Sequence, residues 1–209
     1  MQMTNKIKVL TVDDHPLLRE GIASVIDRQR DMMLVGEATN GQEAIQCFRM
    51  HRPDVTLMDL RLPDMNGIDA IIAIRRDFSN ACIVVLTTYR GDVQAMRAFK
   101  AGAAGYLLKN MLRKELIDTI RFVHGGRRRI PPEIAAELAA HVTDDSLSNR
   151  EIQVLRSVAM GNSNKIIASE LEISEATVKA HVRSVLSKLD ANDRTHAVTI
   201  ALQRGFIEG

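Results

Sequence analysis

Three carboxylates, a threonine and a lysine stand at the ends of short apolar runs in this 209-residue sequence. Asp13 and Asp14 follow the first run, Asp59 closes the third, Thr87 the fourth and Lys109 the fifth. Runs this rich in Val, Leu and Ile read as parallel strands buried on both faces, whose carboxyl ends form the ligand-binding edge of an open α/β sheet. Three anions at one edge repel one another unless a cation joins them, and a few hard oxygen ligands suit Mg²⁺, which keeps several of its waters. Thr87 and Lys109 add a hydroxyl donor and an ammonium able to hold phosphoryl oxygens. Singly, each residue reads more simply as an ordinary strand-end or first-turn polar group. Acid pair, acid, hydroxyl and amine on separate strand ends read as a divalent-metal phosphoryl site.

The elements that must position these groups follow from periodicity. Strands are expected at Ile7 to Val12, Met33 to Glu37, Val55 to Met58, Cys82 to Leu86 and Gly105 to Leu108. Between them, apolar residues at spacings of three and four mark sheet-facing helical stripes. These comprise Leu17, Leu18, Ile22, Val25 and Ile26; Ala44, Ile45 and Phe48; Ile68, Ile71 and Ile72; Val93, Met96 and Ala98; and Leu112, Leu116, Ile120 and Val123. Pro16 fits a first helical turn, and Asn40 with Glu43 reads as a capping box. Strand and helix alternate, so a flavodoxin-like doubly wound parallel sheet is expected over residues 1–124.

At His124 the pattern gives way to GGRRRIPPE, which resists continuing a helix. Residues 125–146 read as a linker with a short helix from Pro132 to His141, Ile134 and Leu138 facing inward, closed by the polar run TDDS. Residues 147–209 read as four helices. Ser148 with Glu151 opens the first as a capping box, Ser163 to Leu171 forms a short second, Ser174 caps a third to about Leu189, and Arg194 to Gln203 forms the last. The short turn at Glu172 and Ile173 gives the middle pair a helix-turn-helix layout. On the third helix Lys179 and Arg183 lie four apart on one face and Lys188 extends it, a basic side suited to phosphates and base edges. The plainer reading is a solvated face with Glu175 paired to Lys179. Ile173, Val178, Val182, Val185 and Leu189 read as core.

Composition sets the outer limits. Lys plus Arg number 28 against 26 acidic residues, so any nucleic-acid site must be local rather than a property of the whole chain. No window holds about 18 uninterrupted apolar residues, and MQMTNKIK lacks a secretory h-region, so a cytoplasmic protein with no membrane segment is expected. Cys47 and Cys82 lack metal or redox spacing and read as buried, reduced thiols.

The segments VLTVDDHPLLREGI, LMDLRLPDMNG, IVVLTTY and AGAAGYLLK resemble the receiver domain of two-component response regulators. The resemblance implies that Asp59 is the phospho-acceptor, attacking the phosphohistidine of a partner sensor histidine kinase. It implies Mg²⁺ on Asp13, Asp14, Asp59 and the backbone carbonyl of Arg61, with Thr87 and Lys109 on the phosphoryl oxygens. Tyr106 would move inward as Thr87 is drawn toward them. Asn110 departs from the proline common after the lysine, and without proline a cis bond there costs about 3 kcal/mol. Aspartate-nucleophile phosphohydrolases need a second acid two residues after the nucleophile; Arg61 stands there, so the chain is not read as an enzyme.

The stretch LSNREIQVLRSVAMGNSNKIIASELEISEATVKAHVRSVLSKLDANDRTHAV resembles the LuxR-type helix-turn-helix domain, which places the chain with the NarL/FixJ class. Ile166 departs from the glutamate usual at its position. The resemblance makes Lys179, Ala180 and Arg183 the groove-facing candidates, with His181 and Lys188 on the same helix. The expectation is a phosphorylation-dependent transcriptional regulator that binds promoter DNA as a homodimer once its helical domain is released. The alternative is a regulator that works without phosphorylation and uses the receiver as a dimerisation module.

Overall fold

The computed structural model describes residues 6–88, 92–132, 134–136 and 147–207. The chain divides into two compact units, the first built mainly from residues up to 135 and the second mainly from residues 136–209.

In the first unit five strands alternate with five helices: β1 (Ile7–Val12), α1 (Pro16–Asp27), β2 (Met32–Ala38), α2 (Gly41–His51), β3 (Val55–Asp59), α3 (Gly67–Asp77), β4 (Ile83–Thr87), α4 (Asp92–Lys100), β5 (Gly105–Leu108) and α5 (Leu112–His124). All pairings are parallel, in the order β2-β1-β3-β4-β5. This is the doubly wound sheet expected from the sequence. Its order reverses at β1, so the crevice beyond the carboxyl ends of β1 and β3 is the place where such sheets bind ligands. Val9, Val55, Leu57, Val84 and Leu86 from the strands meet Ile22, Ile26, Leu116 and Ile120 from α1 and α5 in one buried core.

Three local expectations change. Leu17 is 84% exposed and Ile72 52% exposed, although both belong to the expected sheet-facing stripes. Each is the immediate neighbour of an inward residue, and one step along a helix turns a side chain by about 100° away from the core. The cap of α2 is half a box: Asn40 accepts from the Glu43 N–H at 2.9 Å, but Glu43 Oε2 turns to the N–H of Thr39 at 2.7 Å. Cys47 and Cys82 are half-buried rather than buried. Among the described residues every peptide bond is trans, including 109–110.

The second unit contains α6 (Asn149–Ala159), α7 (Asn164–Glu170), α8 (Glu175–Lys188) and α9 (Arg194–Arg204). Ser148, Ser163, Ser174 and Asp193 cap them through side-chain oxygens. The α7–α8 turn passes through Glu172 at φ 54°, a left-handed position. Val178 packs with Val154, Ile167 and Ala168, while Val185 and Leu189 join Leu147, Leu155, Ala197 and Ala201. Helix α8 is thereby held by α6, α7 and α9, with its opposite face outward.

Residues 132 and 134–136 are helical and Ile134 is fully buried. Leu138 and the TDDS run lie outside the described residues. Among the described residues no helix is long and apolar enough to cross a membrane.

Candidate functional site

The ends of β1, β3, β4 and β5 bring four of the expected groups to one edge. Asp13 is fully buried, Asp59 is 3% exposed and Thr87 is 1% exposed, whereas Asp14 is exposed. Strand β3 places Asp59 opposite Leu86, and β4 extends one residue further to Thr87, which pairs with Leu108 immediately before Lys109. Lys109 Nζ lies 2.7 Å from Asp13 Oδ2 and 2.7 Å from Asp59 Oδ2. One ammonium therefore bridges the two buried carboxylates.

The loop after Asp59 is held tightly against the strand. The Arg61 N–H donates to Asp59 Oδ1 at 3.2 Å, and the Gly67 N–H donates to the Leu60 carbonyl at 2.8 Å. A Cβ on Gly67 would stand 2.0 Å from the Asp59 carbonyl oxygen, so this approach admits only glycine. Arg61, exposed, meets the site through its backbone N–H.

Burial pushes the Asp59 pKa up, and the hydrogen bond and charge of Lys109 offset that only in part. Burial alone would lower the Lys109 pKa, but its bonds to Asp13 and Asp59 outweigh burial and hold it above the ordinary lysine value. Three carboxylates against one ammonium leave two negative charges, which one divalent cation neutralises. The ligand atoms of Asp13, Asp14, His15 and Asp59 all lie within 4.8 Å of one another, close enough for a small ion with hard oxygen ligands. The donor set fits Mg²⁺.

His15 did not enter the site from sequence reasoning. Its Nδ1 lies 2.9 Å from Asp13 Oδ1 and 2.7 Å from Asp14 Oδ1, and its N–H donates to Asp13 Oδ1 at 2.9 Å. The signal was an imidazole directly after an acid pair.

Tyr106 is fully buried, with its ring 6.2 Å from that of Phe99 on α4. The expected inward movement meets a ring that already lies inside.

In the second unit the exposed residues of α8 include Lys179, Ala180 and Arg183, while His181 is half-buried. Among the described residues neither Lys179 nor Arg183 is ion-paired, so the pairing of Glu175 with Lys179 does not form. Lys188 is placed differently from the other two bases: its Nζ lies 3.0 Å from Glu151 Oε2. It serves the joint between α6 and α8.

Two family models match the chain. One, the response regulator receiver domain, matches residues 9–121, and the other, bacterial regulatory proteins of the luxR family, matches residues 145–201. The chain is 39% identical over 215 residues to the uncharacterized transcriptional regulatory protein YxjL of Bacillus subtilis, covering 98% of this chain and 99% of that one. It is 38% identical over 207 residues to the response regulator protein VraR of Staphylococcus aureus, covering 97% and 99%. Among solved structures it is similar to RcsB of Salmonella enterica serovar Typhimurium bound to promoter P1flhDC in the presence of phosphomimetic BeF3⁻. That match has a TM-score of 0.73 at 25% identity, over 94% of this chain and 98% of that one.

Proposed function

The chain belongs to the two-component response regulators that join a receiver to a LuxR-type DNA-binding domain, and from that premise we propose that Asp59 is the phosphoryl acceptor controlling the DNA-binding unit. The observation that carries the reading is the buried Asp59, bonded to Lys109 in a cluster with two uncompensated negative charges. In the transfer an Asp59 carboxylate oxygen forms a bond to phosphorus as the bond from phosphorus to the kinase histidine nitrogen breaks. The departing imidazole carries the proton it already holds or takes one from water. Asp13, Asp14, Asp59 and the Arg61 carbonyl would hold Mg²⁺, which when bound supplies positive charge for the phosphoryl oxygens. Lys109 gives up part of its contact with Asp59 to meet a new phosphoryl oxygen, and the Thr87 hydroxyl donates to another.

Residues 1–124 act as the receiver, 125–146 as the linker and 147–209 as the DNA-binding domain. Helix α8 enters the major groove with Lys179, Ala180 and Arg183 foremost. One short helix reads few base pairs, so useful specificity calls for a homodimer on two half-sites. The test is phosphodonor labelling with a small acyl or amido phosphate in Mg²⁺. Asp59→Asn is expected to abolish the acid-stable, base-labile label, and persistent labelling would place the acceptor elsewhere. Selection of bound duplexes from a random pool, with and without fluoroberyllate, then tests control. Identical yields would favour the phosphorylation-independent regulator.

A further inference from the structure

Strand β5 is an edge of the sheet, and an edge strand presents unpaired backbone groups along one side. Here the chain itself returns and pairs with the start of that edge through a single bridge at Gly105. After α5 the backbone turns at Gly125 and at Gly126, whose φ of 77° favours glycine, and runs back parallel to β5. The Arg129 N–H donates to the Ala104 carbonyl at 3.0 Å, and the Tyr106 N–H donates to the Arg129 carbonyl at 3.0 Å. The Arg129 side chain closes a third contact, Nη2 to Glu115 Oε2 on α5 at 3.0 Å. Arg127 lies over the Phe122 ring at 3.9 Å, and Ile134 is fully buried beyond the strap.

We propose that residues 126–131 form a strap latched by Arg129 onto the strand that carries Tyr106, so that strap and strand open together. The connection is short and continuous. Lys109, bonded to Asp59, stands three residues after Tyr106, and the Tyr106 amide is bonded to the strap. A displacement of β5 that follows a change at Asp59 must either carry Arg129 with it or break its two backbone bonds. The Glu115 ion pair sets how readily they break, because it fixes the one residue that makes both. This coupling rests on Asp59 being the acceptor; the latch itself does not.

Amide hydrogen exchange on the full chain tests both parts. Glu115→Ala removes the ion pair and Gly126→Ala strains the turn, by independent routes. Each is expected to speed exchange at the Tyr106 and Arg129 amides together by about fivefold. Trypsin cleavage after Arg127 and Arg128 should accelerate in parallel. Tyr106 exchange at the wild-type rate in both variants would overturn the latch. Fluoroberyllate is then added to the wild-type chain, with its bound ¹⁹F resonance reporting occupancy of the acceptor. A bound signal with faster exchange at both amides supports the coupling, and a bound signal with both amides unchanged overturns it. Absence of a bound signal would overturn the acceptor reading and the coupling with it, while the two variants still decide the latch.

Discussion

Each unit buries a carboxylate against a lysine, and the two are driven in opposite directions. Burial holds Asp59 above the ordinary aspartate range despite Lys109. Burial also works against Glu151, yet the Ser184 hydroxyl, the Ser148 N–H and Lys188 outweigh it and bring its pKa down to about 2. The partners account for the difference. Glu151 accepts from the Ser148 N–H and the Ser184 hydroxyl, each at 2.6 Å, and from Lys188 at 3.0 Å. Asp59 shares its lysine with Asp13, a second buried anion. A buried charge whose acceptor sites are filled ties helices together; one left short of positive charge attracts a further cation.

The largest expected effect breaks the satisfied side of that comparison. Glu151→Ala removes half of a capping box and the carboxylate that Lys188 Nζ and the Ser184 hydroxyl meet, so it should destabilise the second unit by about 3 kcal/mol. Denaturant unfolding would show this as a shift confined to the second unit, and an equal shift in the first would contradict it. Acid tests the same group without mutation. Because the folded pKa of Glu151 is depressed, its contribution is complete above about pH 4.5 and disappears as the pH falls toward about 2. The loss amounts to roughly 3 kcal/mol and should be absent in Glu151→Ala.

The unsatisfied side is sharpened by adding what it lacks. Mg²⁺ at about 100-fold above its Kd should stabilise the first unit by about 2.7 kcal/mol and leave the second unchanged, as read by calorimetry. The same addition to Asp13→Asn should give a much smaller shift. On α8 the comparison separates the bases. Lys179→Ala should weaken specific DNA binding by about 1 to 2 kcal/mol at fixed salt without moving the unfolding midpoint. Lys188→Ala should lower that midpoint. The smallest effect is expected from Asp59→Asn on stability. A raised carboxyl pKa means that ionisation costs folding free energy once the pH climbs through the folded value. Removing the charge should raise the unfolding midpoint of the first unit slightly at neutral pH, and a fall would show that Lys109 depends on Asp59 more than burial opposes it.

Much of this was legible along the chain, because burial in strands and amphipathic helices is written in local periodicity. β1 and β5 fall where their apolar runs lie, and the ends of β3 and β4 place Asp59 and Thr87 at the carboxyl edge. Ser148 and Glu151 form the full capping box expected of them. The rule fails at single steps, as for Leu17 and Ile72, where neighbouring leucines or isoleucines leave the helix phase ambiguous. It fails more deeply for partners distant in sequence. Nothing near Lys188 distinguishes it from Lys179, since its carboxylate is supplied from another helix 37 residues away.

The sequence by itself determined the alternating architecture, the acidic edge with its lysine and threonine, and the basic third helix of the second half. Side-chain period and strand-end position are properties of a few consecutive residues. Only the tertiary structure decided that His15 leans onto the acid pair, that Tyr106 already lies inside, that Lys188 belongs to Glu151, and that Arg129 returns to the edge of β5. Each of these depends on which surfaces the packed elements bring within hydrogen-bonding distance, and on how much charge remains uncompensated once they meet.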